Sequence, residues 1–337
     1  MTTATTPAPT RSPLPEMPVR VIKRVGLTLV RNRPLLLVIL TIVLVLFMSL
    51  GHREQFLTTS NFQAVLVNAA QSGILVVGMM VLMIGGSFDL SIGSILALSG
   101  VVSGVLIVDH EMSILVAVLG GIAAGAICGL INGLIVTKIR INALIATLAT
   151  MGIFRGITQL ISGTGVGIIT DDFARIGQSV WLGLQSPFWL MLGIAAAGSF
   201  LVSQTRFFRQ YYFIGGNERA ARLSGIRTQR MILIAFILMG TLAGFAGVLG
   251  AARLNSAVVS AGIGVELQVI TAAVLGGASL KGGEGSVIGG VLGVFFIALV
   301  ANSLIILQVD VFWQNIIVGL VLLVAVSLDR WKQVTSA

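Results

Sequence analysis

The stretch SILVAVLGGIAAGAICGLINGLIVT (113–137) contains no charged residue. It is longer than the roughly 20 apolar residues that a helix needs to cross a bilayer. It also lacks the alternating polarity of a membrane strand, so it predicts a membrane-spanning α-helix. Gly121, Gly125, Gly129 and Gly133 stand four residues apart along it. This spacing predicts a face on which a second helix backbone packs closely.

Further uncharged runs lie on both sides of this stretch, and each predicts a helix. They cover about 35–50, 62–84, 91–108, 141–154, 187–203, 231–252, 285–309 and 311–328. A segment at 267–280 is short for a full span, and we expect it to cross or re-enter as a broken helix. Charged residues make up only 10% of the chain, against roughly 25% in soluble domains. The chain is therefore predicted to be an all-α, polytopic membrane protein.

The basic residues predict the orientation of the chain. The net charge is +9, but the basic residues lie in short clusters between apolar runs, which is typical of membrane topology and not of nucleic-acid binding. About ten transmembrane helices, with both termini in the cytoplasm, place most Lys and Arg inside, as the positive-inside rule requires. The chain then divides into a disordered, basic cytoplasmic tail (1–34), a transmembrane domain (35–330) and a cytoplasmic tail (331–337).

The longest predicted cytoplasmic loop, about 204–230, contains GGNERAARLSGI (215–226). Asn217 suits the N-cap of a helix, and Glu218 adds negative charge to its first turn. Gly225 suits the left-handed position that follows a helix end. The loop is therefore predicted to hold a short helix over 218–224 outside the membrane, with a shape suited to pressing into a groove of another protein.

This loop resembles the coupling loop of permease subunits in binding-protein-dependent ABC importers of the ribose-type, monosaccharide branch. The shared core is two alanines, three further residues and a glycine, here Ala220, Ala221 and Gly225. The stretches FDLSIGSILALSG (88–100) and AVLGGASLKGGEGSVIGGVLG (273–293) resemble two glycine-rich elements of the same family. Ser87 stands where the family usually has glycine. The resemblance extends over about 35–330.

The resemblance implies partners and their contact sites. It implies an ABC ATPase subunit, a periplasmic or extracytoplasmic solute-binding protein, a second permease copy or sister permease, and a place in the bacterial inner membrane. The residues expected to contact the ATPase are Gly216, Asn217, Glu218, Ala220, Ala221 and Gly225. The long outer loop at about 162–187 is the expected docking surface for the binding protein. Its charged residues are Asp171, Asp172 and Arg175.

Two further patterns concern the transport pathway. The glycine-rich elements resemble each other, which indicates two related halves in parallel orientation. Uncharged polar residues within the spans are the candidates for contact with a polyhydroxylated solute. They are Asn68, Gln71, Asn132, Asn142, Thr147, Gln268 and Asn302. Hydrogen bonding between helices, at about 0.6–2 kcal/mol per contact, is the alternative role for them.

The chain is not expected to be an enzyme. GGASLKGGEG (276–285) has no Ser or Thr after Lys281, so it is not a phosphate-binding loop, and no cofactor is expected. Cys128 is expected to be an inert buried residue. The spans hold almost no ionisable residue, which disfavours an ATP-independent carrier or channel, the main alternative. The prediction is an importer permease for a monosaccharide or related solute, energised by a partner ATPase.

Overall fold

The computed structural model describes residues 33–310 and, beyond them, residues 313, 316, 317, 319–321, 323 and 327. The predicted tails lie outside these residues, apart from Arg33 and Pro34, as does most of the run 311–328. The described helices are α1 (Arg33–Gly51), α2 (Arg53–Phe56), α3 (Thr59–Ile84), α4 (Ile92–Val108), α5 (Ile114–Leu134), α6 (Ala143–Ser162), α7 (Asp171–Gln178), α8 (Ser186–Gln204), α9 (Arg206–Gly216), α10 (Glu218–Leu223), α11 (Thr228–Leu254), α12 (Val265–Leu275) and α13 (Val287–Ile306). A π turn, Ile135–Ile139, extends α5.

Seven of the described helices are long and apolar enough to cross a membrane. They are α1, α3, α5, α6, α8, α11 and α13. Each coincides with a predicted run, so the all-α, polytopic class is confirmed. Two shorter apolar helices, α4 and α12, have 17 and 11 residues. At 1.5 Å per residue, α12 rises only about 16 Å, roughly half of the bilayer core.

The predicted end of the run 141–154 is wrong, because α6 continues through Arg155 to Ser162. The Arg155 guanidinium donates to the carbonyl oxygens of Val259 and Ala261, just before α12. These carbonyls satisfy the charged group inside the bundle, so it does not interrupt the helix. A rule that ends a span at the first charge could not anticipate this contact.

The glycine rows of α5 and α11 pack against each other. A Cβ at Gly125 would overlap the Gly240 carbonyl oxygen and lie 2.6 Å from Gly244 Cα, and a Cβ at Gly240 would lie 2.7 Å from Gly129 N. The predicted close approach of helix backbones is therefore confirmed. In lipid such an approach is stabilised by van der Waals contact between the backbones, since apolar side chains gain little from leaving lipid.

The core of the bundle is α3, which packs against α8, α11 and α13. Every residue from 73 to 84 is buried. By contrast, α1 lies at the edge, against α13, and its C-terminal Leu50 is 86% exposed. A helix that is apolar on all sides and enclosed by other helices fits the centre of a membrane bundle.

The two ends of the bundle differ in their loops, and α11 connects them because it begins beside α10 and ends against α7. At the α7 end, strands β1 (Gly165–Val166) and β4 (Ala257–Val258) pair, and β2 (Val180–Trp181) pairs with β3 (Leu184–Gln185). At the α10 end, the glycine-rich loops 85–91 and 276–286 meet, since a Cβ at Gly282 would lie 2.8 Å from Gly86 Cα, and Gly283 N donates to Ile84 O, at the end of α3, at 2.9 Å.

Candidate functional site

The predicted helix of the loop 204–230 is present as α10. Asn217 caps it, with its Oδ1 accepting from Ala220 N at 3.0 Å. Gly225 follows the helix end with a φ of 86°, in the left-handed region. The carboxylate of Glu218 accepts from Arg222 at 2.6 Å and from Thr228 Oγ1 at 3.1 Å. These contacts fix α10 on the first turn of α11.

The surface of α10 differs from the predicted contact set in one respect. Ala220 is exposed, as are Gly216, Asn217, Glu218 and Gly225, but Ala221 is only 3% exposed and packs inward. Leu223 is 90% exposed, and it lies three residues after Ala220, on the same face of the helix. Leu223 was not among the residues predicted to contact the ATPase, although an apolar residue in a polar, capped helix was the available signal.

Helix α9 was not predicted, since its sequence was interpreted as loop. Thr205 caps it by accepting from Phe208 N at 3.3 Å. Tyr211 Oη donates to Met231 O, and Tyr212 Oη donates to Gly285 O, both at 2.8 Å. Burial raises the pKa of both phenols, so both hydroxyl groups keep their protons and act as donors. The adjacent tyrosines thus tie α9 to two different parts of the bundle.

Four of the seven candidate pathway residues come together near the α7 end. Asn68 and Gln71 line a cavity of about 250 Å³ between α3, α4 and α11. Asn68 also lines a second cavity, of about 190 Å³, with Gln268 and Asn302. Asn302 donates to Asn61 at 2.7 Å, while its own Oδ1 is buried without a hydrogen-bond partner. Gln71 Nε2 donates to Ala246 O at 3.2 Å, so the amides place a mixture of bonded and unbonded polar atoms in partly apolar cavities, as in small-molecule sites.

The other three candidates lie elsewhere. Asn142 caps α6, with its Oδ1 accepting from Leu144 N at 2.9 Å. Thr147 is fully buried and donates to Ala143 O at 2.8 Å, within its own helix. Asn132 is also fully buried. Neither Thr147 nor Asn132 has surface open to a passing solute in this conformation.

Arg253, in the last turn of α11, separates the inner cavity from the outside. Its guanidinium donates to Val67 O at 3.4 Å and to Asn68 Oδ1 at 3.1 Å. These three residues, here named the Arg253 clasp, line both the 250 Å³ cavity and a more open one of about 570 Å³ beside Gln178 and Gly183. Arg253 was not among the predicted pathway residues. Its position directly after the predicted run 231–252 was the available signal.

The predicted docking residues lie on α7, which rests on this clasp. Asp171, Asp172 and Arg175 are exposed, and Arg175 pairs with Asp172 at 3.2 Å. On the opposite face, a Cβ at Gly177 would overlap the backbone of Arg253. Gln178 Nε2 also donates to Arg253 O at 2.9 Å. The charged face of α7 therefore lies directly above the arginine that divides the two cavities.

Comparison with known proteins identifies the family. A family model described as branched-chain amino acid transport system / permease component matches residues 61–326. The L-arabinose transport system permease protein AraH of Escherichia coli K12 is 40% identical over 279 residues, covering 82% of this chain and 85% of that protein. The ribose import permease protein RbsC of the same strain is 39% identical over 283 residues, covering 82% and 88%. An L-arabinose ABC transporter permease protein, AraH of Azospirillum brasilense, is 38% identical over 298 residues, covering 88% and 87%.

The chain belongs to the ribose-type family of ABC importer permeases. The family membership expected from the coupling-loop and glycine-rich motifs is thereby confirmed. The region that the family model matches includes α10 and both glycine-rich loops. No solved structure matches the chain. With its several long apolar helices, this permease is a multi-pass membrane protein.

The element FDLS (88–91) of this permease folds into a buried polar network. Asp89 is fully buried, and its Oδ1 accepts from Ser91 N at 2.8 Å and from Ser91 Oγ at 2.6 Å. Asn132 Nδ2 donates to Asp89 Oδ2 at 3.1 Å and to Ser91 Oγ at 2.8 Å. The network fixes the loop 85–91 to α5, and it uses both N–H groups of the Asn132 amide.

Proposed function

We propose that this permease moves a monosaccharide or a related small polyhydroxylated solute into the cytoplasm, driven by a partner ABC ATPase. The relatives are named for L-arabinose and ribose transport, which supports a sugar as the solute. The permease itself would carry out no chemical reaction and bind no cofactor. Its role would be to alternate the access of a pathway across the membrane.

The observation that carries this proposal is the exposed surface of α10. A six-residue helix, capped by Asn217 and bonded to α11 through Glu218, presents Ala220 and the 90% exposed Leu223 to the surroundings. An apolar side chain that is exposed outside the spanning helices gains free energy when a partner protein buries it, so Leu223 suits a protein interface. A free-standing carrier has no use for such an interface. The ATPase contact would comprise the predicted residues Gly216, Asn217, Glu218, Ala220 and Gly225, together with Leu223. The buried Ala221 would pack beneath them and hold α10 in place.

The proposed arrangement in the membrane has about ten transmembrane segments, with the α10 end and both chain termini in the cytoplasm of a bacterium. The segment preceding 35 and the segment following 330 would be cytoplasmic tails, and 35–330 the transmembrane domain. In this arrangement α4 and α12 complete their crossings through the non-helical segments beside them. Two parallel halves would place the loops 85–91 and 276–286 in equivalent positions. The close meeting of these loops at the α10 end supports that equivalence.

The α7 end would then face the periplasm and receive the solute-binding protein on Asp171, Asp172 and Arg175. Asn68, Gln71, Gln268 and Asn302 would contact the solute, as their places in two adjoining cavities favour. A second permease copy or a sister permease would complete the transporter in the inner membrane.

Uptake of radiolabelled L-arabinose and ribose into proteoliposomes tests the proposal. The permease is reconstituted with its ATPase and binding protein, with ATP or a non-hydrolysable analogue on the ATPase side. Accumulation that requires hydrolysable ATP supports the importer. Equilibration of sugar without the ATPase would instead establish the ATP-independent carrier or channel.

A further inference from the structure

Three glycine segments meet at the α10 end. Gly215, in the last turn of α9, lies where a Cβ would overlap both Ile84 O, at the end of α3, and Gly283 N. A Cβ at Gly282 would lie 2.8 Å from both Gly215 Cα and Gly86 Cα. The end of α9 therefore touches the loop 85–91 and the loop 276–286 at one point. This meeting of Gly86, Gly215, Gly282 and Gly283 is here named the glycine junction.

Contacts within the glycine junction are made by backbone atoms only. Glycine has no side chain whose rotamer could change to absorb a displacement, and the Gly283 N to Ile84 O hydrogen bond, at 2.9 Å, joins the loop 276–286 to the end of α3, directly before the loop 85–91. A shift of the α9 end by a fraction of an ångström must therefore move the neighbouring backbone or break the contact. Gly282 and Gly283 also have φ values of 90° and 80°, which other residues adopt only under strain.

One side chain reinforces this contact. Tyr212, on α9, donates to Gly285 O at 2.8 Å, so it holds the far side of the loop 276–286. The adjacent Tyr211 donates instead to Met231 O in the first turn of α11, at the same distance. One tyrosine thus bonds α9 to the glycine-rich loop, and its neighbour bonds α9 to the helix that continues the chain.

We propose that Gly215 and Tyr212 are positioning residues that carry a displacement of α10 to both glycine-rich loops at once. The loop 85–91 connects α3 to α4, and the loop 276–286 connects α12 to α13. A movement of α10 therefore reaches the two shortest intramembrane helices, α4 and α12, through one shared contact. This inference rests on the proposed function, because it requires that a partner moves α10.

The test compares Tyr212→Phe with its matched control Tyr211→Phe in the reconstituted transporter. Each substitution removes one hydroxyl group from the same helix. ATP hydrolysis and sugar uptake are measured in the same vesicles, so that the number of sugars imported per ATP is obtained. We expect Tyr212→Phe to lower that ratio roughly fivefold, the effect of one lost hydrogen bond, with ATPase activity retained. Tyr211→Phe should leave the ratio unchanged.

Gly215→Ala is the second variant. In the transporters that assemble with it, the number of sugars imported per ATP should fall further than with Tyr212→Phe. An equal ratio in wild type, Tyr212→Phe and Tyr211→Phe would overturn the junction as the route of coupling. So would an equal fall in both tyrosine variants, since that would reflect the general stability of α9. A wild-type complex that hydrolyses ATP but imports no sugar would overturn the proposed function, and this inference with it. The first two results leave the proposed function intact.

Discussion

The two ends of this permease are held together by different kinds of contact. At the α10 end, glycine backbones touch each other, and the connecting hydrogen bond joins Gly283 N to Ile84 O. At the α7 end, Gly177 also packs on the Arg253 backbone, but the contacts that line the cavities come from long polar side chains, as when Arg253 bonds Asn68 and Gln178 bonds the Arg253 carbonyl. The first kind of contact has almost no freedom to adjust, whereas the second can exchange partners by changing rotamers.

This difference matches the tasks proposed for the two ends. An end that receives mechanical displacement from an ATPase needs rigid contacts that pass the movement on. An end that receives a solute needs side chains that can release one hydrogen-bond partner and accept another. Predictions that follow from the comparison concern stability at the α10 end and transport at the α7 end.

The largest effect is expected at the glycine junction. Gly215→Ala places a methyl group against Ile84 O and Gly283 N, so it should destabilise the purified permease by about 1–3 kcal/mol. Gly216→Ala is the matched control, because no atom lies within 4 Å of a Cβ at that position. Thermal unfolding in detergent measures both. Equal unfolding temperatures for the two variants would show that the α10 end is not rigid.

A second test concerns the buried polar network of Asp89, Ser91 and Asn132. Asn132→Leu removes a donor to the buried Asp89 carboxylate, so it should cost about 1–3 kcal/mol of stability. Asn142→Leu is the comparison variant, because Asn142 is exposed and caps only α6. The loss of a cap should cost closer to 1 kcal/mol. A larger loss for Asn142→Leu would contradict the structural role assigned to Asn132.

Arg253→Gln should separate transport from stability at the α7 end. The shorter side chain loses the bonds to Val67 O and Asn68 Oδ1 and opens the Arg253 clasp, so we expect uptake to change by roughly fivefold or more, about fivefold for each lost hydrogen bond, with little change in unfolding temperature. Arg53→Gln, at an exposed arginine on α2, controls for the loss of charge. Unchanged uptake together with a large fall in stability would make Arg253 a purely structural residue.

The smallest effect is expected for the ion pair on α10. Arg222→Gln removes the 2.6 Å contact with Glu218, but both side chains are about half exposed. Such a pair is worth about 0.3–0.5 kcal/mol, so the unfolding temperature should barely move. Glu218→Ala should cost more, since it also removes the oxygen that accepts from the Thr228 hydroxyl. Equal effects would show that the Thr228 contact contributes nothing to holding α10 in place.

The sequence predicted the parts of this fold that depend on local pattern. Residues 113–137 became α5 with its π turn, and the glycines at four-residue spacing marked a close helix contact, because both features depend on composition along one helix. Asn217 and Gly225 marked the ends of α10 for the same reason: capping chemistry is local. The function, an importer permease, was predicted from the family motifs in the coupling loop and the two glycine-rich elements. Local chemistry alone did not predict it.

The features that were missed depend on partners distant in sequence. Arg155 continues α6 because carbonyl groups about 100 residues away satisfy it. Arg253 became part of a clasp only through α3, and Ala221 turned inward because α10 folds back on α11. Helix α9 was not predicted, because its aromatic residues would also suit an interfacial loop. The acceptors of Tyr211 and Tyr212, Met231 O and Gly285 O, are known only from the structure. Which candidate amides share a cavity likewise depends on how the helices pack.

The central claim is that α10 couples this permease to an ATPase, and one measurement tests it most directly. ATP-driven sugar uptake is compared between wild type and Leu223→Asp in proteoliposomes, with equal amounts of folded permease. Loss of an interface anchor costs about 2 kcal/mol or more, so uptake and binding of the ATPase should both fall at least tenfold. Leu223 is 90% exposed, so the isolated permease should stay folded. Wild-type uptake and ATPase binding by Leu223→Asp would contradict the account.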